Sequence, residues 1–163
     1  TDKTDDETPF VGPPTSFTGS GTQLTIPLGV IAREIAATVF GDLFRGGATK
    51  ANSLDKAADF RVVVRPKVSS FSYEYNQLKN IGFAITPTVV LTLEVTMFDA
   101  SGQVVQKKAY DSGTVEMPAY FISGSPGEEI GKAAHKAIFD LMLRAANDVR
   151  DEVRKAGGPA LSL

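Results

Sequence analysis

Apolar residues fall at positions 28, 31, 32, 35, 36, 39, 40, 43 and 44. This i, i+3, i+4, i+7 spacing predicts an amphipathic helix starting at Leu28 and lasting four turns. Before it, Leu24 to Ile26 alternates as a short strand that Pro27 limits, and after it Gly46-Gly47 supplies a helix stop. Residues 48–58 are polar, a loop or a short helical turn. From Phe60 the period changes to two, with Phe60, Val62, Val64, Pro66 and Val68 on one face. The phase then slips, because Phe71, Tyr73 and Tyr75 continue on odd positions. A bulge between Pro66 and Ser70 accounts for the slip, since proline belongs at edges and bulges.

Residues 76–86 read as a loop. Thr88 to Phe98 gives the clearest strand, with Val89, Leu91, Leu93, Val95 and Met97 alternating against Thr92, Glu94 and Thr96. Asp99-Ala100-Ser101-Gly102 predicts a hairpin turn, and the returning strand runs from Gln103 to Met117. Ser125-Pro126-Gly127-Glu128 has the capping-box spacing of a helix start. Ile130, Ala134, Ala137, Ile138, Leu141, Ala145 and Val149 form that helix's apolar stripe, and Gly157-Gly158-Pro159 closes it. The order is β-α-β-β-β-α. It predicts an α+β domain over 24–157, with one mostly antiparallel or mixed sheet of about four strands and two helices packed on one face. Residues 1–23 hold Asp2, Asp5, Asp6, Glu7 and Gly12-Pro13-Pro14, the composition of a flexible acidic leader or tether. Residues 158–163 form a short C-terminal tail.

Composition narrows the function classes. With 163 residues, 42% hydrophobic, the chain is long enough to build a core without disulfide or metal. It has no cysteine, which removes thiol nucleophiles and thiolate metal sites, and one histidine, His135, which removes triads and multi-histidine metal sites. His135 lies beside Phe139 and off the main stripe, as a surface or boundary residue does. The net charge of −2 argues against nucleic acid as partner. The cations are scattered, with Arg61, Arg65 and Lys67 in one group, Lys107 and Lys108 in another, and Arg150, Arg154 and Lys155 in a third. Each group reads as solvated surface. No stretch approaches the ~20 apolar residues of a membrane span. The absence of an initiator methionine is what removal of an export signal would leave.

No catalytic constellation emerges, and no cofactor or metal site is expected. Asp99 and Asp111 lie in or near a turn, Glu94 and Glu116 lie on strands, and nothing sets two of them across a cleft. Glu128 and Glu129 complement the positive end of a helix dipole. The candidates are instead surfaces for partner binding. Ala119-Tyr120-Phe121-Ile122-Ser123 is an apolar cluster between the last strand and the capped helix, where exposed apolar side chains mark interaction sites. Tyr120, Phe121 and Ile122 are the first choice. Tyr73 and Tyr75, on one strand face with Phe71, are the second, because aromatic ladders stack on sugars or on a partner's rings.

Ala58-Asp59-Phe60 leads into a strand, and Leu91-Thr92-Leu93-Glu94-Val95 runs on to Asp99-Ala100-Ser101-Gly102-Gln103-Val104. With the glycine-containing strand and capped helix that follow, residues 24–155 resemble small Gram-negative envelope lipoproteins. The pattern is similar to that of the curli-secretion and Pel-polysaccharide lipoproteins, and to the lipopolysaccharide-assembly lipoprotein that plugs an outer-membrane barrel. The resemblance implies a non-catalytic accessory or assembly role in secretion, polysaccharide export or outer-membrane assembly. It implies a periplasmic location, tethered to the outer membrane by a lipid on a cysteine outside this chain, with the acidic leader as spacer. The implied partner is another envelope protein or a second copy of the chain. The alternatives are a small lipid- or sugar-binding periplasmic module, with a cavity lined by Phe40, Phe44, Met97 and Phe139, and an enzyme using carboxylates alone.

Overall fold

Val89, Leu91, Leu93, Val95 and Met97 are each at most 4% exposed, and their strand is the centre of the molecule. The computed structural model describes residues 10–12, 24–51, 53–76, 84–121 and 126–155. In chain order the elements are β1 (Phe10–Gly12), β2 (Leu24–Ile26), α1 (Leu28–Leu43), a 3₁₀ turn (Leu54–Asp59), β3 (Val63–Asn76), β4 (Ala84–Phe98), β5 (Val104–Asp111), β6 (Val115–Glu116), β7 (Tyr120–Phe121) and α2 (Pro126–Lys155). This is the α+β arrangement expected from the sequence, with antiparallel pairing throughout the main sheet.

The sheet has three columns. β3 flanks β4 on one side, and β5, β6 and β7 together flank it on the other. The third column is broken for two local reasons. Gly113 takes a left-handed φ of 61°, which ends the run of β5 and interrupts what the sequence suggested was one strand as far as Met117. Pro87 lies inside β4 and has no N–H to donate, and the ladder lapses between β6, opposite Thr88 and Val89, and β7, opposite Ala84 and Ile85. The Pro87 carbonyl still accepts a bond from the Met117 N–H at 3.0 Å. The strand thus starts at Ala84, four residues before the expected Thr88. The expected bulge is present, as a register shift between Val68 and Ser70.

β2 pairs with β1 in a two-stranded ribbon, and the main sheet is built without it. β1 falls within the segment read as a leader; the rest of that segment lies outside the described residues, as do 158–163.

Both helices cover the same face of the sheet. α2 packs on β4 and on α1, and α1 reaches β3. α1 buries Leu28, Ala32, Ile35, Val39 and Phe40. α2 buries Ile130, Ile138, Leu141, Met142 and Val149 together with five alanines, at 133, 134, 137, 145 and 146. The alanines keep the helix axis close to the sheet, so the large side chains of β4 fill the space between. Glu128 and Glu129 in the first turn of α2 and Arg154 and Lys155 in the last complement its dipole. No helix among the described residues is long and apolar enough to cross a membrane.

The other sheet face is mostly polar, with Val90 exposed on it. The Ser70 hydroxyl donates to Thr92 Oγ1 at 2.9 Å, and the Thr92 hydroxyl donates to Asp111 Oδ1 at 2.7 Å, a row that spans all three columns. Glu94 pairs with Lys107 at 3.1 Å on the same face. At the hairpin, Asp99 Oδ1 accepts from the N–H groups of Ser101 and Gln103 and from the Ser101 hydroxyl, and Gly102 takes a φ of 79°. Those donors hold the Asp99 carboxyl below the usual carboxylate range.

Leu93 is fully buried between the strand and both helices' shared core. Leu93→Ala should cost about 2–5 kcal/mol, the range for an unrelaxed core truncation. Urea unfolding should give a lower midpoint with an unchanged m-value.

Candidate functional site

The pairing of small and aromatic residues in the C-terminal half of α1 opens a hollow against β3. Ala36 and Ala37 lie one turn before Phe40, and Phe44 one turn after it, which puts small and large side chains on one flank of the helix. The Phe40 and Phe44 rings stack at 6.0 Å between centroids, 20° from parallel. Val62, just before β3, Val64 of β3 and Val153 of α2 add to the apolar lining. The alanines leave unfilled the space a larger residue would take, and the result is a groove of about 500 Å³.

The loop after α1 forms the third wall. Gly47 takes a left-handed φ of 69°, and its N–H bonds the Phe44 carbonyl at 2.8 Å, turning the chain sharply out of the helix. Residues 48–51 then run back along α1, far enough for the Lys50 ammonium to pair with the Glu34 carboxylate. That ammonium holds the Glu34 carboxyl below its usual range. Arg33, Arg45 and Arg61 complete a basic rim with Lys50, against a single carboxylate, Asp59, among the described residues that line the groove.

A second, smaller hollow of about 190 Å³ lies on the outer flank of the helix pair, between Val39 and Leu43 of α1 and Phe139 and Leu143 of α2. Phe139 and Leu143 are 37% and 42% exposed. The cavity expected from Phe40, Phe44, Met97 and Phe139 is therefore divided. The two α1 rings line the groove, Met97 is buried in the core, and Phe139 belongs to the other hollow.

The residues singled out from sequence are dispersed. Tyr73 is half-buried on the helix side of β3, packed against the core and 6.2 Å from the Phe71 ring. Burial pushes its hydroxyl pKa up. Tyr75 lies in β3 opposite Pro87. Tyr120 and Phe121 form β7, in register with Ile85 and Ala84. Ile122 lies outside the described residues. His135 is exposed on α2. Arg33, Arg45 and Lys50 were not singled out, and Arg61 was assigned to plain surface. The only sequence signal for them was adjacency, Arg45 following Phe44 and Arg61 preceding Val62.

Away from the groove, a polar clamp ties β5 to α2. The Tyr110 hydroxyl donates to Asp148 Oδ2 at 2.8 Å, and the Lys108 ammonium pairs with the same oxygen. The Arg144 guanidinium lies 5.9 Å from the Tyr110 ring centroid and donates to the Asp111 carbonyl at 3.2 Å. Burial and the Asp148 carboxylate push the Tyr110 hydroxyl pKa up. Lys108 holds the Asp148 carboxyl below its usual range, with a further contribution from Tyr110.

No protein-family model matches the chain, and no curated protein matches it in sequence. Among solved structures, a predicted lipoprotein from Caulobacter crescentus CB15 is similar at 15% identity and a TM-score of 0.44, over 82% of this chain and 87% of that one.

The clamp carries a pH dependence. A carboxyl whose folded pKa is depressed stabilises the fold above its unfolded value of ~3.9, and that stabilisation is lost as the pH falls through the folded value. Asp148→Asn should therefore cost about 1 kcal/mol near neutral pH, the scale of a partly exposed pair. Denaturation midpoints of the two proteins should converge as the pH falls below that of an ordinary aspartate.

Proposed function

We propose that this chain is a non-catalytic binding module of the bacterial cell envelope, and that it holds an apolar part of another envelope component in the groove between α1 and β3. The observation that carries the reading is the groove itself. Its volume of about 500 Å³ lies within the ~300–1,000 Å³ typical of ligand sites, and its walls are aromatic and aliphatic. The envelope setting and the accessory role rest on the resemblance of the strand and turn sequences described above. Three of the carboxylates weighed above as acid–base candidates have other partners. Asp99 holds its own turn, Glu94 pairs with Lys107, and Asp111 accepts the Thr92 hydroxyl.

A photo-crosslinking residue in place of Phe44, in intact source cells, should attach an envelope component. Ala37→Trp, which fills the groove, should abolish that adduct while the far-ultraviolet spectrum stays unchanged. A folded chain that yields no adduct from position 44 would remove the groove from consideration.

The exposed Phe139 and Leu143 favour a second reading, in which the outer flank of the helix pair contacts an assembly partner or a second copy of this chain. Phe139→Asp with Leu143→Asp should leave the melting temperature within a few degrees and abolish any oligomer seen by light scattering. An unchanged oligomer, or no oligomer in the parent protein, would count against self-association through this flank.

A further inference from the structure

The groove has two chemically distinct parts. Its floor and walls are the stacked Phe40 and Phe44 rings, the small Ala36 and Ala37, and Val62 and Val64. Its mouth is cationic. Arg45 follows directly on Phe44 and Arg61 directly precedes Val62, so each apolar wall ends in an exposed guanidinium. Lys50 is neutralised by Glu34, but Arg45 and Arg61 are in no ion pair among the described residues. This local excess of positive charge sits on a chain whose net charge is −2. The long-range field of the protein therefore does not attract anions, and any preference for one must arise at these side chains.

We propose that the groove takes a single-chain anionic lipid, with its acyl chain against Phe40 and Phe44 and its headgroup at Arg45 and Arg61. The proposal rests on the groove being the binding site put forward above. A guanidinium offers several donors in a fixed plane and suits carboxylate or phosphate oxygens, while its weak hydration lowers the cost of leaving water. The volume fits one ligand-sized molecule, which favours one acyl chain over two. An extended peptide adding to the outer edge of β3, which no strand among the described residues pairs with, is the less suitable occupant. Pro66 offers no N–H to a further strand, and the register shift at Val68 to Ser70 distorts the edge beyond it.

The test is calorimetric titration of the full chain with tetradecanoyl lysophosphatidylglycerol, and with tetradecanoyl lysophosphatidylcholine as the zwitterionic control. The anionic lipid should bind one per chain, about tenfold more tightly than the control, the scale of one charge-assisted hydrogen bond. Shortening the acyl chain should weaken binding about fourfold per methylene. Arg45→Glu combined with Arg61→Glu changes two exposed side chains and should erase the headgroup preference with no change in thermal unfolding. Ala37→Trp should abolish binding of both lipids.

Equal affinity for the two lipids would overturn the anionic assignment and leave the groove as an apolar site. Binding of neither would overturn the lipid assignment, while the adduct from position 44 decides the groove reading separately. Binding that survives both Ala37→Trp and the double charge reversal would put the lipid elsewhere on the chain and overturn the assignment. A dimer in sedimentation that Ala37→Trp abolishes and the lipid leaves intact would make a second copy the groove's occupant, with the same consequence.

Discussion

The contact between the apolar face of β4 and the alanine-rich face of α2 is the constraint on which the other elements depend. Five alternate residues of β4 present their side chains to the helices, and five alanines of α2 let the helix axis come close enough to receive them. Burial of apolar surface at roughly 25 cal/mol per Å² is the main stabilising term available to a chain with neither cysteine nor a metal cluster among its described residues. β3 and the broken β5–β6–β7 column extend that face to either side, and α1 closes it. α1 has no side-chain N-cap, no acid in its first turn and no base in its last, so tertiary packing has to hold it in place.

The groove follows from how α1 is held. Its N-terminal half packs through Leu28, Ala32 and Ile35. Its C-terminal half carries small residues at 36 and 37 where it passes the start of β3, and among the described residues no further strand pairs with the sheet edge there. The turn at Gly47 then runs a loop along the groove as one of its walls and brings Lys50 back to Glu34. The same features that leave the helix imperfectly packed thus make a site, and the cations at its mouth come from segments well separated in the chain.

The polar groups elsewhere act as fasteners. Ser70, Thr92 and Asp111 join the three columns on the open face, and Tyr110, Lys108 and Asp148 join the third column to α2. Each bond contributes modestly, and together they fix register and helix rotation where the apolar contacts alone permit sliding. Gly113 and Pro87 do the opposite at their positions, breaking the third column into short pieces where β4 continues.

Periodicity in the sequence determined the two helices, the central strand, the hairpin at Asp99 and the bulge near Ser70, because each is fixed by neighbours within a few residues. The start of β4 was hidden by Pro87, a residue that disfavours an interior strand on local grounds and is accommodated here through its carbonyl. The division of β5 from β6 depended on the backbone conformation of one glycine, which composition does not reveal. The pairing of β2 with β1 also required the tertiary structure, since three-residue strands carry too little pattern to choose a partner. The candidate site was the least legible part. Phe40 and Phe44 could be read as neighbours from their helical spacing, but Val62, Arg61 and Val153 meet them only when the sheet and both helices are assembled. A groove is unfilled space between elements, and local sequence pattern encodes the elements, so their gap was decided by the packing alone.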